Sequence, residues 1–186
     1  MKKTLIILAV FGCAISVAFV FNSRESQSSI LHKIKDGKVV PLHKDMAADR
    51  VLIEKAARRL TLYRDGKILK TFRIALGRNP VGKKTTEGDR RTPEGRYSID
   101  RRKPNSRYHR SLHISYPNAA QIEAAKAVGI DPGGMIMIHG QPNGFGWWGW
   151  LLQLVDWTDG CIGVTDSDMD EIWTRVPDGT PIEIEP

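Results

Sequence analysis

His139 and Cys161 are the two residues whose types and spacing could perform covalent chemistry, because they stand at opposite ends of one loop. The stretch Met135 to Val164, MIMIHGQPNGFGWWGWLLQLVDWTDGCIGV, opens on a short apolar run that delivers His139 and Gly140. It passes through a loop rich in glycine and tryptophan and closes on Thr158, Asp159, Gly160, Cys161 and Ile162. A thiol is mostly protonated at neutral pH, and a neighbouring imidazole can take its proton and stabilise the thiolate nucleophile. Gly160 lets the backbone approach a substrate closely and turn N–H groups toward a developing oxyanion. Taken one at a time, a cysteine is more often a small buried hydrophobe and a histidine a satisfied core residue. The rest of the chain has to weigh one reading against the other.

The first evidence comes from the N-terminus. Met1, Lys2 and Lys3 precede an apolar run from Leu5 to Phe21, broken only by Gly12 and Ser16, and a polar exit at Asn22 and Ser23. Basic start, apolar segment and polar exit form an export signal. Ser16, Val17 and Ala18 resemble a cleavage site, while the run approaches the roughly 17-residue lower limit of a membrane span, so residues 1–21 are expected to be a signal peptide or a membrane anchor. Either outcome places the remainder in the periplasm or cell envelope. Residues 22–47 are polar and weakly patterned and read as a linker, and residues 48–186 as one catalytic-sized domain. Of the two cysteines, Cys13 belongs to the export segment, which leaves Cys161 as the single thiol of the exported domain. Exported proteins tend to pair their cysteines, so a lone one points to reactivity.

The formal charge of +7 is unevenly spread: Arg64 to Arg110 holds 15 Lys and Arg against 5 Asp and Glu, Ser111 to Pro186 only 2 against 11. A basic segment can be a solvated face that keeps the domain soluble, or a surface for an anionic partner such as wall polymer or acidic lipid. An exported chain without a recognition motif is not expected to bind nucleic acid.

The elements that must carry the pair read mainly as strands. Arg50–Glu54, Arg59–Tyr63 and Ile68–Leu76 alternate or run apolar, and Asp65-Gly66 between the last two is a hairpin signal. Gly77 to Gly95 has no apolar periodicity and is expected to be a long functional loop. Arg96–Asp100 and Tyr108–Tyr116 follow as strands, the second with Leu112, Ile114 and Tyr116 on one face and His109, Ser111, His113 and Ser115 on the other. Asn118 caps a helix Ala119–Val128, and Met135–Ile138 is a short strand. Thr165 or Asp166 caps a second helix with Met169, Ile172, Trp173 and Val176 at core spacing, and Pro181–Ile184 is the final strand. The class is mainly β (α+β), a sandwich- or barrel-like domain with two helices.

His139-Gly140 followed by Thr158-x-Gly160-Cys161-Ile162-x-Val164 resembles the signature of the L,D-transpeptidase (YkuD-like) catalytic domain. The early hairpin ending Leu76-Gly77, the Thr92-Pro93-x-Gly95 turn and the closing Pro177-Asp178-Gly179-Thr180-Pro181 strand agree in order. The resemblance implies a cell-envelope enzyme that acts on peptidoglycan stem peptides through a Cys161 thioester, without cofactor or metal. It makes Cys161 the nucleophile, His139 the base and the Gly140 carbonyl the group that orients the imidazole. The backbone around Thr158, Asp159, Gly160 and Cys161 becomes the oxyanion hole. Three departures stand out: Gly163 where the family commonly has Arg, Asp159 where it often has an uncharged residue or His, and a slightly longer loop carrying Trp147, Trp148 and Trp150.

Trp148 and its neighbours could hold glycan or peptide, or simply pack under the loop. His113 could touch substrate from its strand. His109 and His113 together lack a third ligand for zinc. Within the same chemistry, water as acceptor would give an L,D-carboxypeptidase or an amidase. Of another class is a non-catalytic peptidoglycan-binding module in which Cys161 does no chemistry. A retained N-terminal segment would add the inner membrane as a partner, and no residue pattern speaks to an oligomeric state.

Overall fold

The computed structural model describes residues 46–186. The signal or anchor expected over 1–21 and nearly all of the linker expected over 22–47 lie outside the described residues. Among the described residues no helix is long and apolar enough to cross a membrane.

Eight strands form one mixed sheet: β1 (Arg50–Glu54), β2 (Arg59–Arg64), β3 (Lys67–Arg73), β4 (Gly95–Ser106), β5 (His109–Ile114), β6 (Met137–His139), β7 (Ile162–Gly163) and β8 (Pro181–Glu185). Their order across the sheet is β3-β2-β1-β8-β4-β5-β6-β7. Asp65 and Gly66 both hold positive φ, 49° and 73°, as a tight hairpin between β2 and β3 demands. The chain leaving β3 then bridges to the far edge, Ala75 to Gly163 and Gly77 to Thr158, so the two ends of the sheet are stitched together as in a barrel. The sequence ends the fourth strand at Asp100, but the strand continues to Ser106. Its outer half is exposed and charged and pairs with β5, so tertiary pairing rather than apolar alternation extends it.

Among the described residues three helices are present rather than two. α1 (Ala119–Ala127) carries the expected Asn118 cap, with the Gln121 side chain returning to the Asn118 N–H. α2 (Gly149–Leu152) is a single turn after a 3-10 turn at Gly146–Trp148 inside the tryptophan loop, too short for periodicity to reveal. α3 (Asp166–Arg175) is capped by the Thr165 hydroxyl and buries Met169 and Ile172, with Val176 behind them. Trp173 instead lies at the edge of the core beneath the Arg102 and Arg110 guanidinium groups.

The consequence for function lies in the register of β4 to β7. Lys103 pairs with Ser111, Ser111 with His139, and His139 with Gly163, one row across four strands. The next row, Arg102, Leu112, Ile138 and Ile162, points to the opposite face. Leu112, Ile138 and Ile162 are fully buried in the core that α3 joins, which leaves the first row for the cleft.

Candidate active site

Cys161 lies two residues before Gly163 and therefore projects from the same face as His139, one strand away. Both line one cleft of about 580 Å³ together with Tyr108, Met137, Trp157 and Asp159. The sulfur is neither sealed in the core nor freely exposed, and Cys161 carries no disulfide.

The imidazole is held on three sides. His139 Nδ1 meets the Gly140 carbonyl at 2.6 Å, which fixes that nitrogen as the donor and leaves Nε2 as the basic atom. The Tyr108 ring lies 4.6 Å away at 40°, and the Trp157 ring 5.5 Å away edge-on. Gly163 makes room for that indole: a Cβ there would stand 2.9 Å from Trp157 Cζ2. Gly140 is equally constrained, since a Cβ would strike Asp166 Oδ1 at 2.5 Å and His109 Cβ at 2.9 Å.

The motif turn is fixed by Thr158. Its hydroxyl donates to the Cys161 carbonyl at 2.7 Å and accepts from the Gly160 N–H at 3.1 Å. Gly160 holds φ 125° and presses against the Arg91 carbonyl, which a Cβ would meet at 2.7 Å. Thr158 is thus a buried brace within the turn. With its N–H taken by Thr158, Gly160 leaves the amides of Asp159 and Cys161, which engage no backbone carbonyl among the described residues.

The electrostatics favour a neutral pair. Burial pushes the Cys161 thiol above its ordinary value; the Met137 backbone opposes that rise, and Asp159 and Lys84 add smaller raising and lowering effects in turn. Burial likewise lowers His139 below the usual imidazole value, opposed by the Gly140 carbonyl. The thiol sits 3.6 Å from the Met135 carbonyl, to which it can donate. Asp159 is exposed and faces Arg78 and Arg90, at 3.2 and 3.7 Å, so its charge beside the thiol is partly answered.

The long loop after Gly77 contributes Arg78 to the cleft and backs the motif turn with its Arg91 carbonyl. Lys55, almost fully buried, bonds Glu94 Oε1 and the Gly82 carbonyl at 2.6 Å and the Thr92 carbonyl at 3.2 Å. Lys84 pairs with Asp89 at 2.9 Å, and that carboxylate also collects the N–H groups of Thr85, Thr86 and Arg91.

Two expected contacts lie elsewhere. Trp148 does not line the cleft; it is partly exposed and packs edge-on against Trp147 at 4.8 Å. The loop around it is tied down by Gln141, whose N–H donates to Asp166 and whose side-chain amide donates to the Gly149 carbonyl, away from the thiol. His113 shares the cleft face of the sheet but turns to Asp100, at 2.5 Å, and lies outside the lining. Sequence reasoning did not single out Tyr108, Trp157, Lys103 or Arg107, all of which line the cleft. Trp157 could have been noticed from its place directly before Thr158. Tyr108 and the two cations lie more than fifty residues before Cys161, where only the strand register joins them to it. Among the described residues no group of three metal-ligating side chains comes together.

Residues 48–184 match the family model for the L,D-transpeptidase catalytic domain. The chain is 31% identical over 132 residues to “Putative L,D-transpeptidase YafK” of Escherichia coli (strain K12), covering 68% of this chain and 46% of that one. The helical cell shape determining protein Pgp2 from Campylobacter jejuni aligns with a TM-score of 0.57 at 25% identity, over 86% of this chain and 55% of that one. An L,D-transpeptidase from Mycobacterium smegmatis shares the fold at a TM-score of 0.50 and 16% identity, over 75% of this chain and 59% of its own length. The chain thus spans about half the length of the relatives it matches.

Proposed function

This chain belongs to the L,D-transpeptidase catalytic-domain family, and we propose that it is a cysteine acyltransferase acting on peptidoglycan stem peptides outside the cytoplasm. The observation that carries the reading is the placement of the Cys161 thiol and the His139 imidazole on one sheet face in one cleft, with Nδ1 committed to the Gly140 carbonyl. The extracytoplasmic setting is supported by the basic and apolar pattern of the N-terminus.

His139 Nε2 takes the thiol proton as sulfur attacks the carbonyl at the L-centre of the stem's diamino acid. The carbonyl oxygen becomes an oxyanion beside the amides of Asp159 and Cys161. As the C–N bond breaks, the imidazolium returns that proton to the departing amine, leaving a C–S thioester on the enzyme. An acceptor amine then forms a new C–N bond, the C–S bond breaks, and the amine's proton passes through His139 back to the sulfur. Burial raises the Cys161 thiol and lowers the His139 imidazole, which disfavours a preformed ion pair and suits proton transfer to Nε2 as the sulfur attacks.

One observation favours a second reading, in which water is the acceptor. Where the family commonly has an arginine, Gly163 and the Trp157 indole close that position with apolar surface, so a cation suited to holding an acceptor's carboxylate is missing there. Incubation with tetrapeptide muropeptides followed by mass spectrometry separates the outcomes: dimers mean transfer and tripeptides mean hydrolysis. Cys161→Ala abolishes both under either reading. A variant that retained turnover would end the proposal, as would wild-type protein that binds wall polymer without altering it.

A further inference from the structure

The row that aligns the catalytic groups continues past the imidazole to a cation. From Gly163 it runs through His139 and Ser111 to Lys103, all on the cleft face. Strands lie about 4.8 Å apart, so the Cα atoms of Lys103 and His139 are separated by roughly 10 Å, a gap that the two side chains narrow from either side. Ser111, between them, is buried and donates its hydroxyl to Ser106 at 2.7 Å, so it leaves the passage open. Arg107, in the turn after β4, lines the same cleft.

These two cations differ from Arg78, the third that lines the cleft. Arg78 and Arg90 face Asp159, and Lys84 is paired with Asp89. Among the described residues, Lys103 and Arg107 have no carboxylate within ion-pair distance, although acidic side chains partner most cations around them. Two unneutralised cations facing one cleft favour an anionic group of the ligand.

The chemistry says which part of the substrate arrives there. The imidazole must stand beside the leaving nitrogen in order to protonate it, so the leaving residue lies on the His139 side of the thiol. Beyond His139 in that direction are Ser111 and Lys103. In a peptide cleaved at its last amide, the free carboxylate is two bonds from the leaving nitrogen.

We propose that Lys103 and Arg107 form a subsite for the free α-carboxylate of the leaving residue, which directs this enzyme to the terminal amide of the stem rather than to internal amides. This rests on the acyl-enzyme reading above and adds the donor it selects. Guanidinium can grip a carboxylate in a fork, while the ammonium contributes a point charge.

The test uses the full chain and two substrates, a tetrapeptide stem and the same stem with its terminal carboxylate converted to a carboxamide. Wild type should lose at least tenfold in kcat/KM on amidation, chiefly through KM. Lys103→Met/Arg107→Gln should cleave the acid as slowly as wild type cleaves the amide, while Lys103→Arg keeps the preference. Melting temperature and the rate of Cys161 alkylation by iodoacetamide show whether the variants are folded with an open thiol. Should the double variant misfold, the single variants carry the same comparison. Equal turnover of acid and amide by wild type, or discrimination that survives in the folded double variant, overturns the subsite while leaving the acyl-enzyme intact. Turnover of neither substrate by a wild-type protein that alkylates normally overturns the acyl-enzyme reading, and the subsite falls with it.

Discussion

Adding one methyl group at Gly163 should damage the enzyme through Trp157. The new Cβ would lie 2.9 Å from Cζ2, 3.2 Å from Cε2 and 3.4 Å from Nε1 of the indole. Carbon atoms settle at about 3.5–4.0 Å, so the ring must retreat by roughly 0.6–1.1 Å. The strand cannot yield instead, because Gly163 exchanges two 2.8 Å hydrogen bonds with Ala75 on one side and neighbours His139 on the other. Overpacking of this kind costs about 1–3 kcal/mol, which at about 3 °C per kcal/mol lowers the melting temperature by roughly 3–9 °C. The displaced indole is the edge-on neighbour of His139, and a misplacement of about 1 Å in a catalytic group can cost about a hundredfold. Gly163→Ala should therefore lose about 10- to 100-fold in kcat/KM on a tetrapeptide stem. Water admitted beside the imidazole would raise its pKa from the lowered value toward the ordinary one. The base works only when neutral, so the acid limb of the rate profile should move to higher pH. Trp157→Phe supplies the control: it removes the atoms nearest Gly163 together with an indole N–H that has no partner among the described residues, so Gly163→Ala/Trp157→Phe should recover much of the loss. A Gly163→Ala enzyme that melts and turns over like wild type would refute the whole chain of reasoning.

Other consequences follow from the same contacts. Asp159→Asn removes a carboxylate that raises the Cys161 thiol, so the pH profile of iodoacetamide alkylation should move toward lower pH; an unmoved profile would show that Arg78 and Arg90 already cancel that charge. Gly160→Ala combines a positive φ with a Cβ 2.7 Å from the Arg91 carbonyl and should cost about 2–4 kcal/mol, read from chemical denaturation. Lys55→Met strips the partner from Glu94 and two carbonyls of the loop wall; about 3–5 kcal/mol of stability should go, and proteolysis should begin within residues 78–94. Trp147→Ser, in a side chain 75% exposed, should leave the melting temperature within about 1 °C.

Local rules made the frame legible. Asp65-Gly66 has the backbone freedom its hairpin needs, Asn118 and Thr165 cap the helices they precede, and Met169, Ile172 and Val176 bury at the spacing that announces them. The motif brought Cys161, His139 and Gly140 together because a strand end and a glycine turn each carry a recognisable local signature. Trp148 and His113 were drawn in by chemical type alone, and side-chain packing took them elsewhere: one packs edge-on against Trp147, the other turns to Asp100. The additional helix, α2, is a single turn held by Gln141 and Asp166, contacts that no periodicity encodes.

The residues around Cys161 and His139 became visible only through the register of β4 to β7. A one-residue slip in any of those pairings would carry Lys103, Ser111 and His139 to the core face and bring Arg102, Leu112 and Ile138 into the cleft. Fully buried Leu112, Ile138 and Ile162 forbid that slip, because exposing any one of them costs about 1.5–3 kcal/mol. Under the proposed acyl-enzyme reading, the core would thereby set the direction in which a stem peptide lies, from the thiol across the imidazole toward Lys103. Gly163 fits the same logic: the arginine common in the family would project from this row onto the space that Trp157 occupies. In this chain an aromatic seat for the base stands at that end of the row, and the unpaired cations stand at the other.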